Sequence, residues 1–232
     1  MKIIETKQLY KDYQVKKIVV KALRGIDFSL EDGEFTAIAG PSGSGKSTLL
    51  HLIGLLDIPT KGNIYLENQD ASQLKKSQLA MIRREKLGFI FQAYNLIPVL
   101  TAFENVAFPL TLLGYKSNEI KNKTYQVLKS VGLEGMENRR PAEMSGGQQQ
   151  RVAIARALAK RPRLILADEP TANLDSKTGK DILEIMLTLN KTEKITFLFS
   201  THDKMVMDYA KRLVILRDGK ITGDKKDDQN KN

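Results

Sequence analysis

The segment Gly40–Ser47 reads GPSGSGKS and combines the residue types that bind phosphate. It fits the pattern G-x-x-x-x-G-K-[ST], with an apolar run before it and a helix-forming run after it. In such a loop the glycines let successive backbone N–H groups point at phosphate oxygens, and the following helix adds its positive N-terminal end. The Lys46 ammonium would contact the outer phosphates, and the Ser47 hydroxyl would bind Mg²⁺. The segment therefore predicts a nucleoside-triphosphate site and not a plain Gly/Ser-rich turn.

Two carboxylates and a histidine follow apolar runs elsewhere in the chain. Leu164–Ala167 is followed by Asp168 and Glu169, and Ile195–Ser200 is followed closely by His202. At the carboxyl edge of a parallel sheet, Asp168 is expected on the Mg²⁺ side, and Glu169 could polarise an attacking water. His202 could hydrogen-bond that water or the terminal phosphate. Taken alone, these residues would be an acidic turn and a loop histidine, but a nearby phosphate loop favours the catalytic interpretation.

The segment Ser145–Gln148 reads SGGQ and opens a second candidate anion site. A serine at the N-cap followed by two glycines leaves backbone N–H groups free at the start of a long helix, which runs to a stop at Pro162. The chain then has two phosphate-binding helix ends but one phosphate loop. Both can serve one nucleotide only if two chains share it.

The apolar runs predict the elements that position these residues. Glu34–Ala39, Leu164–Ala167 and Ile195–Ser200 lack polar alternation, which is typical of strands covered on both faces. Helical periodicity marks the stretches Ser47–Leu56, Gln126–Val131, Ser145–Lys160 and Lys177–Leu189. Strands alternating with helices predict an α/β fold with a parallel sheet, whose carboxyl edge would gather the candidate site residues.

Other parts of the chain have a different pattern. Residues 1–33 contain two short segments typical of β-strands, Ile18–Leu23 and Ile26–Leu30, which predict an antiparallel lobe beside the sheet. Residues from about 93 to 160 predict a helical insertion. We expect one domain over residues 1–222, followed by a flexible tail at Gly223–Asn232, where no apolar residue is available for burial.

Composition excludes several classes of protein. The 232 residues are 41% hydrophobic and include no Cys, which excludes disulfides and thiolate metal sites. No segment has the roughly 18 apolar residues of a membrane span, and the N-terminus lacks the apolar core of a signal peptide. The formal charge of +10 would suit nucleic acid or an anionic membrane surface. Because the basic residues are scattered and not interleaved with aromatics, we predict no nucleic-acid partner.

These motifs together resemble the ATPase subunits of ABC transporters over nearly the whole chain, about residues 3–222. The signature of that family matches Met144–Gln148, with Met144 where Leu is more usual. The resemblance implies a P-loop NTPase (RecA-like) parallel sheet with an antiparallel β lobe and a helical signature lobe. It also implies that Tyr13 stacks on adenine, with Tyr10 as an alternative. Asp175 matches the loop through which two active sites communicate.

The resemblance assigns roles to residues of a two-chain site. ATP and Mg²⁺ would be bound by residues of one chain, namely Tyr13, Gly40, Pro41, Ser42, Gly43, Ser44, Gly45, Lys46, Ser47, Thr48, Gln92, Asp168 and Asp175. The other chain would contribute Ser145, Gly146, Gly147 and Gln148. The implied catalytic residues are Glu169, His202, Gln92 and Lys46, and the implied metal ligands are Ser47, Gln92 and Asp168.

The stretch Asn95–Val106 is similar to ATPases of the macrolide-exporter, lipoprotein-releasing and antimicrobial-peptide resistance type. This similarity implies a homodimer that drives an integral membrane permease, contacted near Gln92–Val106, from the cytoplasmic face of the membrane. The exported or extracted cargo would be peptides, lipoproteins or drugs. Two alternatives are an ATPase that bends a membrane partner to regulate cell-wall hydrolysis or division, and a soluble ATPase acting on DNA or ribosomes. The second lacks support, because Lys46 and Ser145 are too close in sequence for an inserted coiled coil.

Overall fold

The computed structural model describes residues 1–226, which form ten strands and seven α-helices. The strands are β1 (Lys2–Val15), β2 (Ile18–Glu31), β3 (Phe35–Ala39), β4 (Lys61–Leu66), β5 (Gln69–Asp70), β6 (Leu87–Ile90), β7 (Leu164–Asp168), β8 (Thr196–Thr201), β9 (Arg212–Arg217) and β10 (Lys220–Lys226). The helices are α1 (Lys46–Ile53), α2 (Lys76–Lys86), α3 (Ala102–Leu112), α4 (Ser117–Ser130), α5 (Gly146–Leu158), α6 (Ser176–Glu193) and α7 (Lys204–Tyr209). No helix within residues 1–226 is both long and apolar enough to cross a bilayer.

The larger sheet has the strand order β10-β9-β3-β8-β7-β6 and confirms the predicted α/β class. All its neighbouring strands are parallel except β10, which pairs with β9 in the antiparallel direction. Every residue of β3 and of β8 is buried, as expected for strands covered on both faces. Because β3, β8, β7 and β6 are consecutive neighbours, the loops after their carboxyl ends lie along one edge.

Alternate side chains of the larger sheet belong to two apolar clusters on its opposite faces. Phe35, Phe197 and Phe199 pack with the helices α3 to α6 on one face. Ile38 and Leu198 pack on the other face with α1 and the smaller sheet. This division follows from the two-residue period of a strand. The larger sheet is therefore the middle layer, and packing on both of its faces fixes the positions of its strand ends.

The smaller sheet is the predicted antiparallel lobe, with the strand order β2-β1-β4-β5. It differs from the prediction in two ways, since β2 is one continuous strand and β4 and β5 also join the sheet. The antiparallel pair β1 and β2 places Tyr13 opposite Val20. The pairing of β1 with β2 has register shifts, at Thr6/Leu9 and Lys11/Asp12 among others, and such irregularities bend and twist a strand pair.

The predicted helical lobe is also present, as α3, α4 and the start of α5. The helix predicted at Gln126–Val131 is the end of the longer α4, whose first half is too polar to show a clear apolar stripe. The helix predicted at Ser47–Leu56 ends earlier, at Ile53. Its C-cap is Gly54, and a side chain there would collide with Phe89 and Leu166.

The flexible tail predicted for Gly223–Asn232 is wrong over its first part, because β10 continues to Lys226. The strand is polar, so its sequence carries no apolar signal, but backbone pairing with β9 and ion pairs hold it. The buried Arg212 donates to both carboxylate oxygens of Asp224, at 2.8 and 2.7 Å, and to Glu34 at 2.9 Å. Lys226 pairs with Glu34 at 2.8 Å. The rest of the predicted tail, residues 227–232, lies outside the described residues.

Candidate nucleotide site

A cleft of about 770 Å³ lies where the edge of the larger sheet meets the smaller sheet. It combines a loop rich in backbone N–H groups, a carboxylate, a histidine and an aromatic ring, which are the groups needed to bind and hydrolyse a nucleotide. The cleft is lined by Tyr13, Val20, Lys21, Ala22, Pro41, Ser42, Gly43, Gly45, Lys46, Ser47, Thr48, Gln92, Glu169 and His202.

The phosphate loop connects β3 to α1, as its sequence predicts. Two of its glycines are required by geometry. A side chain at Gly40 would lie 2.1 Å from the carbonyl oxygen of Leu216, and Gly45 has φ +104°, a conformation that disfavours a side chain. The Lys46 ammonium donates to the carbonyl oxygens of Gly40 and Pro41, at 2.9 and 3.1 Å, and is nearly buried. The loop therefore holds a shielded positive charge at the N-terminus of a helix.

Two predicted metal ligands are brought into direct contact. The Ser47 hydroxyl, in the first turn of α1, donates to Oδ1 of Asp168, at the end of β7, over 3.1 Å. Gln92 follows β6 and lines the same cleft. A hydroxyl, a carboxylate and an amide offer oxygen atoms, which Mg²⁺ prefers, and Mg²⁺ is usually bound by one or two such groups together with substrate phosphates. The three residues therefore fit a magnesium ion carried by a nucleotide.

Glu169 and His202 form a close pair at the end of two neighbouring strands. Nδ1 of His202 lies 2.6 Å from Oε1 of Glu169. The other carboxylate oxygen of Glu169 accepts a hydrogen bond from the Thr201 hydroxyl at 3.2 Å. Glu169 has φ +47°, which is uncommon for a residue with a side chain, and its N–H donates to the carbonyl oxygen of Ser200. These contacts direct the Glu169 carboxylate into the cleft beside the phosphate loop.

The signature segment begins α5 as predicted, but it is not part of this cleft. The Ser145 hydroxyl accepts from the N–H of Gln148 at 3.3 Å, and Oε1 of Gln148 accepts from the N–H of Ser145 at 3.0 Å. This reciprocal capping fixes the helix end. A side chain at Gly146 would collide with the Tyr94 hydroxyl, and one at Gly147 would collide with Thr178 of the same chain.

Asp175 also lies outside the lining of the cleft, where it serves as a helix cap. Its carboxylate accepts from the N–H of Thr178 at 3.0 Å and from the Thr178 hydroxyl at 2.6 Å, which fixes the start of α6. The hydrogen bonds from Thr178 lower the pKa of Asp175, so the cap remains ionised. Within the described chain, Asp175 and the signature therefore form a surface separate from the phosphate loop.

Tyr13, and not Tyr10, lies on the wall of the cleft. The Tyr13 hydroxyl donates to Oδ2 of Asp57 at 3.0 Å. Tyr10 instead approaches Gln8 and Gly25 and is not part of the lining of the cleft. Base stacking by Tyr13 therefore stays the prediction, and the alternative at Tyr10 has no support from the lining of the cleft.

Three residues of the site, and one contact made by Asn173 of the predicted communication loop, were not predicted from the sequence. Val20, Lys21 and Ala22 line the cleft from β2, and the pairing of Val20 with Tyr13 across the hairpin is the signal that could have indicated them. Asn173 donates through its amide to the carbonyl oxygen of Gln92 at 3.0 Å. That contact joins residues 81 positions apart, and no local pattern in the sequence indicates it.

Comparison with known proteins identifies the family of the chain. The family model described as "ABC transporter" matches residues 23–172. An ABC transporter ATP-binding protein of Thermotoga maritima is 48% identical over 222 residues, covering 96% of this chain and 94% of that protein. The macrolide export ATP-binding/permease protein MacB of Bdellovibrio bacteriovorus is 45% identical over 97% of this chain, which spans 34% of that protein.

A solved structure matches the fold closely. It is the dimeric, post-hydrolysis state of the ATP-binding cassette MJ0796 bound to ADP and Pi, and it superimposes with a TM-score of 0.89 at 43% identity. The match covers 97% of this chain and 98% of that one. The chain therefore belongs to the ABC transporter family, as an ATP-binding subunit with the fold and site of an ATPase.

Proposed function

We propose that this ATPase works as a homodimer that encloses two Mg-ATP and drives a membrane permease which exports or extracts peptides, lipoproteins or drugs. The observation that carries the proposal is the separation of two anion-binding helix ends within one chain. The phosphate loop lies in the cleft with Glu169 and His202, whereas Ser145–Gly147 lies on another surface. A second chain turned to face the first would place its signature over the phosphate loop.

Each group of the cleft has a place in hydrolysis under this proposal. Ser47, Asp168 and Gln92 would hold Mg²⁺, which when bound neutralises charge on the outer phosphates. Lys46 and the backbone N–H groups of the loop would bind the same phosphates, so that less charge is left unbalanced in the transition state.

Glu169 would accept the proton of the attacking water, because its carboxylate is fixed at the edge of the cleft. His202, 2.6 Å from Oε1 of Glu169, would keep that carboxylate aligned and hydrogen-bond the terminal phosphate. Ser145 and Gly147 of the second chain would complete the binding of the terminal phosphate. Hydrolysis would then weaken the contact between the chains, since the phosphate that joins them is released.

The segment Gln92–Val106 is the proposed contact with the permease, but only part of it can take that role. Ala102, Asn105 and Val106 are buried against the helical lobe, whereas Val99 is 74% exposed and Pro98 and Glu104 also face solvent. The contact is therefore expected at Pro98–Val99 and around Gln92. This segment begins directly after β6, so a movement imposed on it would reach Gln92 in the cleft.

The similarity to the MacB protein supports an export or extraction role. That protein is a macrolide export ATP-binding/permease protein, and the present chain matches only 34% of its length. By this analogy, we propose that the present chain is held at the cytoplasmic face of the membrane through a separate permease. The cargo would be recognised by the permease and not by this subunit.

The experiment that tests the proposal is co-purification of the subunit with its cognate permease. Val99→Asp should reduce the recovered permease strongly, because it places a charge in an apolar contact. The matched control is Ile18→Asp, which changes an apolar side chain of 69% exposure at the tip of the β1–β2 hairpin. Both variants should retain the ATPase activity of the isolated subunit. Equal recovery of permease with both variants would contradict the proposed contact.

A further inference from the structure

The ring of Tyr13 is covered on one side by a lysine of its own strand. Lys11 and Tyr13 are two residues apart on β1, and their side chains are in contact. The Lys11 ammonium lies 4.9 Å from the centroid of the Tyr13 ring, a distance at which a cation is attracted to the ring electrons. Lys11 is not part of the lining of the cleft, whereas Tyr13 is. The lysine therefore occupies the side of the ring that faces away from the cleft.

A single carboxylate holds both side chains. Oδ1 of Asp57 accepts from the Lys11 ammonium at 2.7 Å, and Oδ2 accepts from the Tyr13 hydroxyl at 3.0 Å. The ammonium also donates to the carbonyl oxygen of Ile58 at 2.8 Å, and the Lys11 side chain is only 12% exposed. These contacts leave the lysine and the tyrosine little rotational freedom.

The charges of this group are fixed near neutral pH. Burial raises the pKa of Tyr13, and the hydrogen bond to Asp57 adds to this effect, so the phenol stays protonated and remains a donor. Burial opposes ionisation of Asp57, but hydrogen bonds, chiefly from Lys11, outweigh it and lower the pKa of Asp57. The group therefore contains an ammonium, a carboxylate and a neutral phenol.

The group is also tied to the phosphate loop. Asp57 lies a few residues beyond the end of α1, and Thr48, in the first turn of α1, approaches the Tyr13 hydroxyl. Because α1 begins at Lys46, the position of the Tyr13 ring relative to the phosphate loop is set by contacts at both ends of one short helix. A nucleotide with its phosphates in the loop would meet the free face of the ring at a defined distance.

We propose that Lys11 and Asp57 are positioning residues that hold the Tyr13 ring as a platform for the purine base of the bound nucleotide. The proposal rests on the proposed ATPase function and on the base-stacking role that the family resemblance implies for Tyr13. Holding the ring before the ligand arrives lowers the entropic cost of stacking. A cation on the far face also draws electron density from the ring, which favours stacking of an aromatic base on the near face.

The test compares two ligands that differ only in the presence of a nucleoside. The affinities of Lys11→Met and Asp57→Asn for ATP and for inorganic tripolyphosphate are measured with Mg²⁺, by calorimetry and by competition. Both substitutions keep the size of the side chain and remove its charge. We expect ATP affinity to fall about 2- to 10-fold, the range of one cation–π contact together with lost preorganisation, and tripolyphosphate affinity to stay within about 2-fold.

The chain offers a matched control for the lysine. The Lys7 ammonium lies 5.0 Å from the centroid of the Tyr65 ring, a contact of the same kind in the same sheet but outside the cleft. Lys7→Met should leave both affinities unchanged. If Asp57→Asn does not fold, Tyr13→Phe replaces it, because that variant keeps the ring and removes the hydroxyl that Asp57 binds.

The results separate this proposal from the role of Tyr13 itself. An equal loss of ATP and tripolyphosphate affinity would overturn the positioning role, because a general distortion of the site affects both ligands. Unchanged ATP affinity in Lys11→Met and Asp57→Asn, with a loss in Tyr13→Ala, would overturn the proposal but leave base stacking intact. Unchanged ATP affinity in Tyr13→Ala would overturn base stacking and the platform together.

Discussion

Asn105 fixes the shape of the segment proposed to contact the permease. It is fully buried in α3, and its amide nitrogen lies 3.1, 3.1 and 3.0 Å from the carbonyl oxygens of Ile97, Leu100 and Thr101. Its amide oxygen accepts from the N–H of Ile97 at 2.8 Å. This side chain therefore supplements the backbone hydrogen bonds of the turn that precedes the helix and exposes Val99.

We expect Asn105→Ala to destabilise the protein by about 3 kcal/mol, because it removes the side-chain partner of the Ile97 N–H and of the Leu100 carbonyl, at a cost of about 1–3 kcal/mol for each group that water cannot reach. For a chain of this size, that corresponds to a fall of about 6–12 °C in the melting temperature. Asn105→Asp should be worse, because it turns a donor into a carboxylate that faces three carbonyl oxygens.

Thermal melting followed by circular dichroism measures these effects, and ATPase activity well below the transition shows whether the cleft is intact. The matched control is Asn118→Ala, on the exposed surface of α4, which should change the stability by less than about 0.5 kcal/mol. If Asn105→Ala melts as late as Asn118→Ala, the hydrogen bonds of Asn105 do not determine the shape of this segment.

Two further substitutions test the charges of the molecule. Lys46→Ala should weaken ATP binding by about 10- to 150-fold, which is the range for the loss of one or two charge-assisted hydrogen bonds. If calorimetry gives the wild-type dissociation constant for this variant, Lys46 does not bind the nucleotide. The hydrogen bond from Arg212 lowers the pKa of Asp224 from its ordinary 3.8, so this ion pair contributes stability above about pH 4 that is lost as the pH falls below it. Asp224→Asn should therefore lose less stability than the wild type when melting is measured from pH 6 down to pH 3, and an unchanged acid dependence would contradict the role of the pair.

The parts of the site that follow buried strands could be predicted from the sequence. The phosphate loop, the pair Asp168 and Glu169, and His202 each come directly after a run of apolar residues. The carboxyl ends of parallel strands share one edge, so the order of strand and motif predicts their meeting. The signature also indicated its helix, since a serine N-cap and its helical periodicity are local signals.

The contacts between distant elements could not be predicted in this way. Lys11 and Asp57 are 46 positions apart, and no spacing rule connects a strand residue with a turn beyond a helix. The burial of Asn105 could not be predicted either, because a single asparagine within the apolar segment 96–108 gives no sign of the backbone groups that its side chain would bond. The strand β10, which ends at Lys226, was missed because its pairing with β9 is made by backbone groups, which leave no pattern of side chains in the sequence. Its ion pairs connect it to Glu34 and Arg212 in other strands, and no local pattern indicates them.

The most direct test of the two-chain site is the mass of the Glu169→Gln protein in solution, measured by light scattering on a sizing column with and without Mg-ATP. The substitution keeps the size of the side chain but prevents it from accepting a proton, so ATP should stay bound between Gly40–Ser47 of one chain and Ser145–Gly147 of the other. We expect a dimer only when ATP is present, and a monomer when Ser145→Arg is added. The control Glu85→Gln, on the exposed face of α2, should behave as the wild type. A Glu169→Gln protein that remains monomeric at saturating Mg-ATP would contradict the two-chain site.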